Sequence, residues 1–352
     1  MNGSLNEWVC RMSYQIGIDT IHLRPTPRLA HTDYCTNDAL KRHLKETRPD
    51  LACFEDRWDM DFIWATNDGP VKWADRGRVT DMGHADFLEG GVDRRMAKPS
   101  PFTDVEQVWA FDAEKEYGAP AHEPLVQWYE AESQRVRLKR PNQVFPGGYY
   151  KTIVSGAIEA FGWDMLLEAA ADQAKFEKVL DSFFRLSMHY YRAQAKTSIE
   201  VFICHDDMVW TEGPFMHPDF YRRAIFPRYA ALWAVLKKAG KKVLYCSDGN
   251  WTQFLPDIAA AGADGFIFEP VVSLEAAVEQ FGKTHVIMGS KLDCRTLTFG
   301  GRDEIKQQID ATLPLAFRCP GFFFAVGNHI PSNVPVENAM FYIEYLRKNW
   351  TR

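Results

Sequence analysis

The sequence predicts an α/β protein, a (β/α)₈ TIM-type barrel with an elaborated N-terminal region. From residue 146 onward, short apolar runs alternate with helical segments, which is typical of right-handed βαβ units around a parallel sheet. Six such runs lie in that part, and one or two more near 18–23 and 51–54 bring the strands to eight. The chain has 352 residues, 46% of them hydrophobic, which suffices for one barrel-sized core.

Residues 1–352 are therefore predicted to form a single barrel. Residues 1–145 make up an irregular N-terminal elaboration that contains the first one or two strands, and residues 146–352 carry the regular repeats. An open, doubly wound sheet is the alternative. No glycine-rich phosphate loop of standard spacing follows any of the strands, which disfavours a nucleotide-binding fold.

The N-terminal elements are short. The run 18–23 is predicted to be the first strand, and the two prolines in 24–28 prevent its continuation as a helix or a central strand. A helix at 39–46 and the apolar run 51–54 follow, and the mixture of Gly, Asp, Arg and Trp at 64–102 indicates hairpins and loops. Thr103, with Glu106 three residues later, predicts a capped helix start.

In the second half, helical periodicity and apolar runs are clearer. The segment 173–193 carries apolar residues at three-to-four spacing, which predicts an amphipathic helix. The segment 218–239 is expected to kink at Pro227 and to end at Gly240. Strands are predicted at 149–154, 199–203, 242–246, 265–268, 285–288 and 321–326, and the other helices at 163–171, 251–261, 273–281, 302–316 and 335–348.

Most of these strands end at polar residues. The carboxyl ends of parallel strands form the edge at which α/β enzymes place their sites, because rigid strands position the side chains of variable loops. The sequence therefore predicts a reaction site at this edge. The polar clusters are His205-Asp206-Asp207, Cys246-Ser247-Asp248, Glu269, Lys291-Leu292-Asp293 and Asn328-His329.

Two of the clusters suit acid–base or metal chemistry. His205, Asp206 and Asp207 can orient a polar substrate, hold a metal or move a proton, and the alternative is a loop that caps the next segment. Cys246 and Asp248 are two residues apart, so an extended chain points both the same way, and a thiolate with a carboxylate suits zinc. The alternative for Cys246 is a buried structural thiol.

The remaining candidates bind substrate or assist catalysis. His329 is a candidate base, acid or metal ligand, with Asn328 beside it and Glu269 at another strand end. Lys291 and Asp293 are expected to pair with each other. Aromatic residues of the first 150 positions are candidates for a substrate pocket, and ordinary packing is the alternative. Arg24 and Arg28 either bind a carboxylate or anchor the N-terminal loops; the candidate aromatic contacts are Trp58 and Tyr149.

Composition excludes several classes of function. The net charge of −6 and the lack of a basic stripe disfavour nucleic-acid binding. No apolar run approaches the roughly 20 residues needed to cross a bilayer, and the start lacks the pattern of a signal peptide. The seven cysteines are scattered without a CxxC pair, which predicts a reducing, cytoplasmic setting. The sequence leaves a homodimer open.

A string of motifs resembles the uroporphyrinogen decarboxylase superfamily, well over roughly 145–350 and loosely before that. The resemblance implies a (β/α)₈ barrel with its site at the strand carboxyl ends. It also implies one of two activities: haem-pathway decarboxylation, or methyl transfer that depends on a corrinoid. The motifs are His205-Asp206-Asp207-Met208, Pro218-Asp219-Phe220-Tyr221, Phe226-Pro227-Arg228-Tyr229, Ser247-Asp248-Gly249-Asn250, Ala261-Gly262-Ala263-Asp264-Gly265, Asn328-His329-Ile330-Pro331 and Val334-Pro335-Val336-Glu337-Asn338.

Departures from the family pattern favour methyl transfer. The decarboxylases open with an Arg-Gln-Ala-Gly-Arg-type segment, for which 24–28 is only a distant substitute, and the acids at the mouth would repel a carboxylate-rich porphyrinogen. The coenzyme M methyltransferases bind zinc through a His-x-Cys pair and a later Cys. Here Cys246-x-Asp248 and either Asn328 or His329 stand at those positions, a harder ligand set that suits an oxygen or nitrogen substrate better than a thiol.

The resemblance thus implies a corrinoid-dependent methyltransferase that moves a methyl group from a small O- or N-methyl substrate to a corrinoid carrier protein. The chain has no cobalamin-binding module of its own, so the corrinoid is expected on the partner. Zinc is the candidate metal, with Cys246, Asp248 and His329 as ligands. A decarboxylase and a non-catalytic ligand-binding barrel are the alternatives. The expected catalytic residues are His205, Asp206, Asp207, Asp248 and His329, and the expected substrate contacts are Arg24, Arg28, Trp58, Tyr149, Glu269 and Asn328.

Overall fold

A computed structural model of the protein describes residues 5–73, 86–87, 93–94 and 99–352. Much of the segment 64–102, where hairpins and loops are predicted, lies outside these residues. The two short strands described within it pair as an antiparallel hairpin. The strands are β1 (Ala30–His31), β2 (Asp86–Phe87), β3 (Asp93–Arg94), β4 (Gly147–Tyr149), β5 (Val201–His205), β6 (Lys242–Cys246), β7 (Gly265–Ile267), β8 (Val286–Met288) and β9 (Phe322–Phe324).

Seven of these strands form one parallel sheet in the order β1-β9-β8-β7-β6-β5-β4. The segment 61–63 lies between its two edges. The Asp61 N–H donates to the His31 carbonyl at 2.8 Å and the Ile63 N–H donates to the Val144 carbonyl at 2.9 Å, while Phe62 forms a parallel bridge to Val144. This segment occupies the eighth strand position, and the predicted α/β barrel class is confirmed.

Helices cover the outside of the sheet. A π-helical turn at Tyr221–Ile225 and a 3₁₀ turn at Thr252–Phe254 precede two of them. The helices are α1 (Leu5–Ile21), α2 (Asp38–Thr47), α3 (Phe54–Arg57), α4 (Val105–Trp109), α5 (Ala113–Tyr117), α6 (His122–Lys139), α7 (Val154–Phe161), α8 (Trp163–Ala170), α9 (Gln173–Ala195), α10 (Pro218–Phe220), α11 (Phe226–Lys238), α12 (Leu255–Ala261), α13 (Leu274–Phe281), α14 (Cys294–Phe299), α15 (Arg302–Ala316) and α16 (Val336–Asn349).

The predicted first strand at 18–23 is wrong, because this run belongs mostly to α1. Its isoleucines, Ile18 and Ile21, join the apolar cluster inside the barrel. The helix approaches the segment 61–63 so closely that a Cβ on Gly17 would lie 2.3 Å from the Asp61 carbonyl oxygen. The apolar run reflects a helix face that packs against the barrel interior, and the first strand is β1 instead.

Three other element boundaries also moved. The run 51–54 is not a strand, since α3 begins at Phe54. The strand predicted at 149–154 ends at Tyr149, and α7 begins at Val154. The cap of α4 is Asp104 rather than Thr103, because the Asp104 carboxylate accepts the Glu106 N–H at 2.8 Å. From residue 163 onward the predicted strands and helices are all present, with shifts of a few residues at their ends and α14 in addition.

Strand parity divides the core into two parts. Along β5, Val201 and Ile203 belong to the cluster inside the barrel, whereas Phe202 and Cys204 pack outward with the helices. Successive side chains of a strand point to opposite faces, so His205, the last residue of β5, points into the barrel. The same alternation along β6 directs Cys246 inward.

Candidate functional site

The adjacent acids that follow β5 have different surroundings. Asp206 is fully buried and faces outward, where one carboxylate oxygen accepts the N–H of Ser155 at 2.7 Å and of Ile153 at 3.2 Å. The other oxygen accepts the Tyr229 hydroxyl at 2.6 Å. Burial raises the pKa of Asp206 to about 6, although these hydrogen bonds oppose the shift. Asp206 therefore holds the start of α7 and lies away from the barrel mouth.

Asp207 is the centre of a hydrogen-bonded group at the mouth. Its Oδ1 lies 3.1 Å from His205 Nε2 and accepts the Asp248 N–H at 2.8 Å. Its Oδ2 accepts the Tyr150 hydroxyl at 3.2 Å. Burial alone would favour the neutral acid, but His205 and these donors outweigh it and lower the pKa of Asp207. The carboxylate is thus ionised and orients the imidazole of His205.

Tyr150 was not predicted as a site residue. Its ring meets that of His205 edge to face, with 4.3 Å between the centroids. Burial, and then the charge of Asp207, raise the pKa of Tyr150 well above 10.0, so its hydroxyl remains a donor. Tyr150 directly follows β4, so the strand-end argument would have found it if the end of β4 had been placed correctly.

A second hydrogen-bonded group joins three other strand ends. The Asn328 side-chain amide donates to Asp248 Oδ2 at 3.2 Å and to Glu269 Oε1 at 2.9 Å. Glu269 Oε2 accepts the Gly249 N–H at 3.0 Å. Asn328 itself adopts a left-handed backbone with φ of 65°, a conformation that asparagine tolerates better than most residues. The structure thus brings together Asp248, Glu269 and Asn328, as the sequence predicts.

His329 lies next to this group. It is buried, and its Nδ1 is 2.5 Å from Asn328 Oδ1. The Tyr34 ring is 6.4 Å away from the His329 ring. His329 therefore supports the amide that bridges the two carboxylates, and its predicted catalytic role stays a prediction.

A small cavity opens between these residues and the barrel interior. It leaves only about 10 Å³ for the centre of a water-sized molecule, which is room for about one water. Burial, and then the nearby carboxylates, raise the pKa of Cys246 well above 9.0, so its thiol is protonated. Trp64, which follows the segment 61–63, was not predicted. The lining residues are Trp64, Cys246, Ser247, Asp248, Ile267, Phe268, Glu269, Met288, Ala325, Val326 and Asn328.

Arg24 and Arg28 do not lie at this mouth. Arg24 is half-exposed and pairs with Asp19 at 2.5 Å. It follows Leu23, whose side chain packs beside Gly321 at the amino end of β9. Arg28 makes a bidentate pair with Asp61, with both distances 2.7 Å. The structure thus favours the alternative that these arginines anchor the N-terminal region.

The two predicted aromatic contacts are also in the core. Trp58 is fully buried, and its indole N–H donates to Asp33 Oδ2 at 2.7 Å. Tyr149 is fully buried and stacks on Tyr190 with 4.8 Å between the ring centroids. Both residues pack between the strands and the helices and do not line the cavity.

The described residues contain one group of side chains with the spacing of metal ligands. His205, Asp207 and Asp248 each offer a ligand atom, and these atoms all lie within 4.8 Å of one another. Of the zinc ligands expected from the resemblance, only Asp248 belongs to this group. Cys246 and His329 are not members of it, and Asn328 turns its N–H₂ toward the carboxylates; the expected zinc ligand set of Cys246, Asp248 and His329 stays a prediction.

Comparison with known sequences identifies the second half of the chain most clearly. Residues 159–349 match the family described as uroporphyrinogen decarboxylase (URO-D). The uroporphyrinogen decarboxylase of Carboxydothermus hydrogenoformans is 27% identical over 173 residues, which cover 49% of this chain and 47% of that one. That of Pelobacter propionicus is 27% identical over 49% of each chain. The chain thus spans about half the length of the curated relatives it matches.

Among solved structures, a methyltransferase from Methanosarcina mazei is similar over nearly the full length. The TM-score is 0.64 with 18% sequence identity, and the match covers 96% of this chain and 98% of that chain. At this identity the likeness shows a shared fold. No helix among the described residues is long and apolar enough to span a membrane.

Proposed function

The chain belongs to the uroporphyrinogen decarboxylase (URO-D) family, and on that premise we propose that it is a corrinoid-dependent methyltransferase. In this proposal it moves a methyl group from a small O- or N-methyl compound to the corrinoid of a carrier protein. Likeness in fold to the Methanosarcina mazei methyltransferase extends over nearly the whole chain. The curated decarboxylases match only about half of it. The likeness in fold agrees with a methyltransferase, whereas the sequence matches alone would fit a decarboxylase equally well.

The acidic cavity is the observation that carries the proposal. Asp248 and Glu269 both line it, and the Asn328 amide holds them side by side. A substrate carboxylate about 6 Å from one of these acids would be repelled by about 3 kcal/mol at an effective dielectric constant of about 20. The cavity therefore favours a small neutral or cationic substrate and disfavours a carboxylate-rich porphyrinogen.

Methyl transfer requires that the leaving atom be neutralised. As the carbon–oxygen or carbon–nitrogen bond breaks, its electron pair remains on the oxygen or nitrogen. The new carbon–cobalt bond uses a pair from cobalt(I) of the partner's corrinoid, which is a substrate of this reaction. In this proposal His205, which Asp207 orients, delivers a proton to the leaving atom or takes part in holding a cation there. Glu269 and Asn328 would orient the substrate.

We also propose a cytoplasmic location for the protein. The six cysteines whose side chains are described are all free, which suits a reducing compartment. Cobalt(I) likewise requires reducing conditions. The carrier would dock over the carboxyl edge of the sheet, where the proposed substrate site opens.

The test mixes the protein with a reduced corrinoid carrier and a panel of methoxylated and N-methylated compounds. We expect the absorption spectrum of methylated cobalt with at least one compound, and a loss of about 100-fold or more in rate for Asp207→Asn. Asp219→Asn is the matched control. Asp219 pairs with His217, two residues before it, as Asp207 pairs with His205, but Asp219 is exposed. Carbon dioxide release from a porphyrinogen without corrinoid would instead establish a decarboxylase. Inactivity in both assays would favour the non-catalytic barrel.

A further inference from the structure

We propose that the barrel mouth holds a divalent metal ion, with His205, Asp207 and Asp248 as its ligands. Their ligand atoms come from the ends of two adjacent strands and all lie within 4.8 Å of one another. Asp207 and His205 are buried, and Asp248 is partly buried. The site is inferred from these side chains alone, whereas its part in methyl transfer rests on the proposed function.

The spacing fits ligands of one ion. Two atoms bound about 2.1 Å from an ion at angles between about 90° and 110° lie about 3.0–3.4 Å apart, and opposite ligands of an octahedron lie about 4.2 Å apart. The observed separation between His205 Nε2 and Asp207 Oδ1 is 3.1 Å, which is that of adjacent ligands. Because the atoms all lie within 4.8 Å of one another, the widest pair would close by at most about 0.6 Å for opposite octahedral ligands and by at most about 1.4 Å for tetrahedral ligands.

Both carboxylates are held from outside the group. The Tyr150 hydroxyl donates to Asp207 Oδ2 and the Asn328 amide donates to Asp248 Oδ2, each at 3.2 Å. Such outer donors orient the carboxylate ligands of metal sites. Asp207 Oδ1 also accepts the Asp248 N–H, which uses one of its two lone-pair directions. The second lone pair of Asp207 Oδ1 faces His205 Nε2. An ion bound between these two atoms would take the place of their hydrogen bond.

The donor set indicates the kind of ion. One imidazole nitrogen and two carboxylate oxygens suit a first-row divalent ion such as Zn²⁺, Co²⁺ or Mn²⁺, and disfavour a soft ion that prefers thiolate ligands, such as Cu⁺. Three protein ligands leave a position open for water or a substrate atom, as in catalytic rather than structural sites. In the proposed reaction, the ion would stabilise the electron pair on the leaving oxygen or nitrogen.

The test is the titration of the metal-stripped full-length protein with Zn²⁺ by calorimetry and with Co²⁺ by its visible absorption. We expect one equivalent to bind, with affinity lower by about 10- to 100-fold in His205→Gln and in Asp248→Asn. Two variants guard against loss of folding in either one, and circular dichroism checks both. His217→Gln is the matched control, because His217 lies 3.5 Å from Asp219 at the same spacing on the surface, and it should bind like the wild type.

The outcomes separate this inference from the proposed function. No uptake at equimolar metal, equal uptake by His205→Gln, or loss of uptake in Cys246→Ser with a thiolate-to-cobalt band would each overturn the metal site. Methyl transfer by the metal-free protein would also overturn its proposed role, while leaving the methyltransferase proposal intact. Stoichiometric uptake lost in both ligand variants, without any methyl transfer, would uphold the site and defeat the proposed function.

Discussion

The neighbouring carboxylates of Asp206 and Asp207 should affect stability with opposite pH dependence. Burial raises the pKa of Asp206 from 3.8 to about 6, although Ser155 and Tyr229 donate to it. Burial opposes ionisation of Asp207 as well, but His205 outweighs it and the pKa of Asp207 is lowered. The substitutions Asp206→Asn and Asp207→Asn remove one titration each and change little in volume.

The magnitude for Asp206 follows from the difference between about 6 and 3.8. One pKa unit corresponds to about 1.4 kcal/mol, so a shift of about two units is worth about 3 kcal/mol. Because the pKa is raised in the folded protein, the stabilising contribution is fully present below pH 3.8. It is lost as the pH rises through about 6. The free energy of unfolding of the wild type, minus that of Asp206→Asn, should therefore fall by about 3 kcal/mol over this range.

The assay is urea unfolding at several pH values across this range, followed by circular dichroism. Asp206→Asn keeps an oxygen for the two amide donors of Ile153 and Ser155, so the variant should fold. Asp207→Asn should show the opposite sign: the contribution of Asp207 is present above pH 3.8 and is lost as the pH falls through its lowered pKa. Parallel pH profiles for the wild type and Asp206→Asn would refute the reasoning.

Three further substitutions separate geometry from chemistry. Gly249→Ala places a Cβ 2.6 Å from the Trp210 carbonyl oxygen at a φ of +80°, so it should displace the site loop and lower both methyl transfer and melting temperature. Asn328→Gly suits the left-handed backbone but removes the amide that bridges Asp248 and Glu269. The melting temperature should stay unchanged while the rate of methyl transfer falls, and a wild-type rate would contradict the role of the amide. Trp58→Phe removes the hydrogen bond to Asp33 and should cost about 1–3 kcal/mol in urea unfolding with KM unchanged.

The second half of the fold could be predicted from the sequence because its signals are local. Apolar strands and amphipathic helices alternate there. The spacing of apolar residues that reveals each strand or helix lies within that element itself. The N-terminal strands could not be predicted in this way. β1 has only two residues, and the segment 61–63 has the position of a strand through hydrogen bonds to His31 and Val144, which are distant in sequence. The run 18–23 looks like a strand because the buried face of α1 is rich in isoleucine.

The grouping of the candidate residues could be predicted where strand ends determine it. The sequence assigns His205, Asp207, Asp248, Glu269 and Asn328 to one edge, and the structure brings their side chains together. The sequence could not tell that Asp206 faces outward and Asp207 faces the mouth. Which of two successive side chains points inward depends on where the strand ends. The prediction ended β5 two residues too early.

The other substrate-binding predictions depend on partners that a local pattern does not reveal. Arg28 is neutralised by Asp61, and Trp58 donates to Asp33. Each of these acids is more than twenty residues away in sequence. An arginine or a tryptophan near a strand has the same local sequence signal whether it binds a ligand or satisfies a buried acid, so only the fold can distinguish the two.

The most direct test of the central claim is a single-turnover measurement with a cobalt(I) corrinoid carrier and excess methyl donor, followed by absorption spectroscopy. The account predicts stoichiometric methylation of cobalt by the wild type, nearly abolished in Asp207→Asn and retained in Asp219→Asn. Failure to methylate cobalt with every methoxylated and N-methylated donor, together with corrinoid-independent release of carbon dioxide from a porphyrinogen, would contradict it.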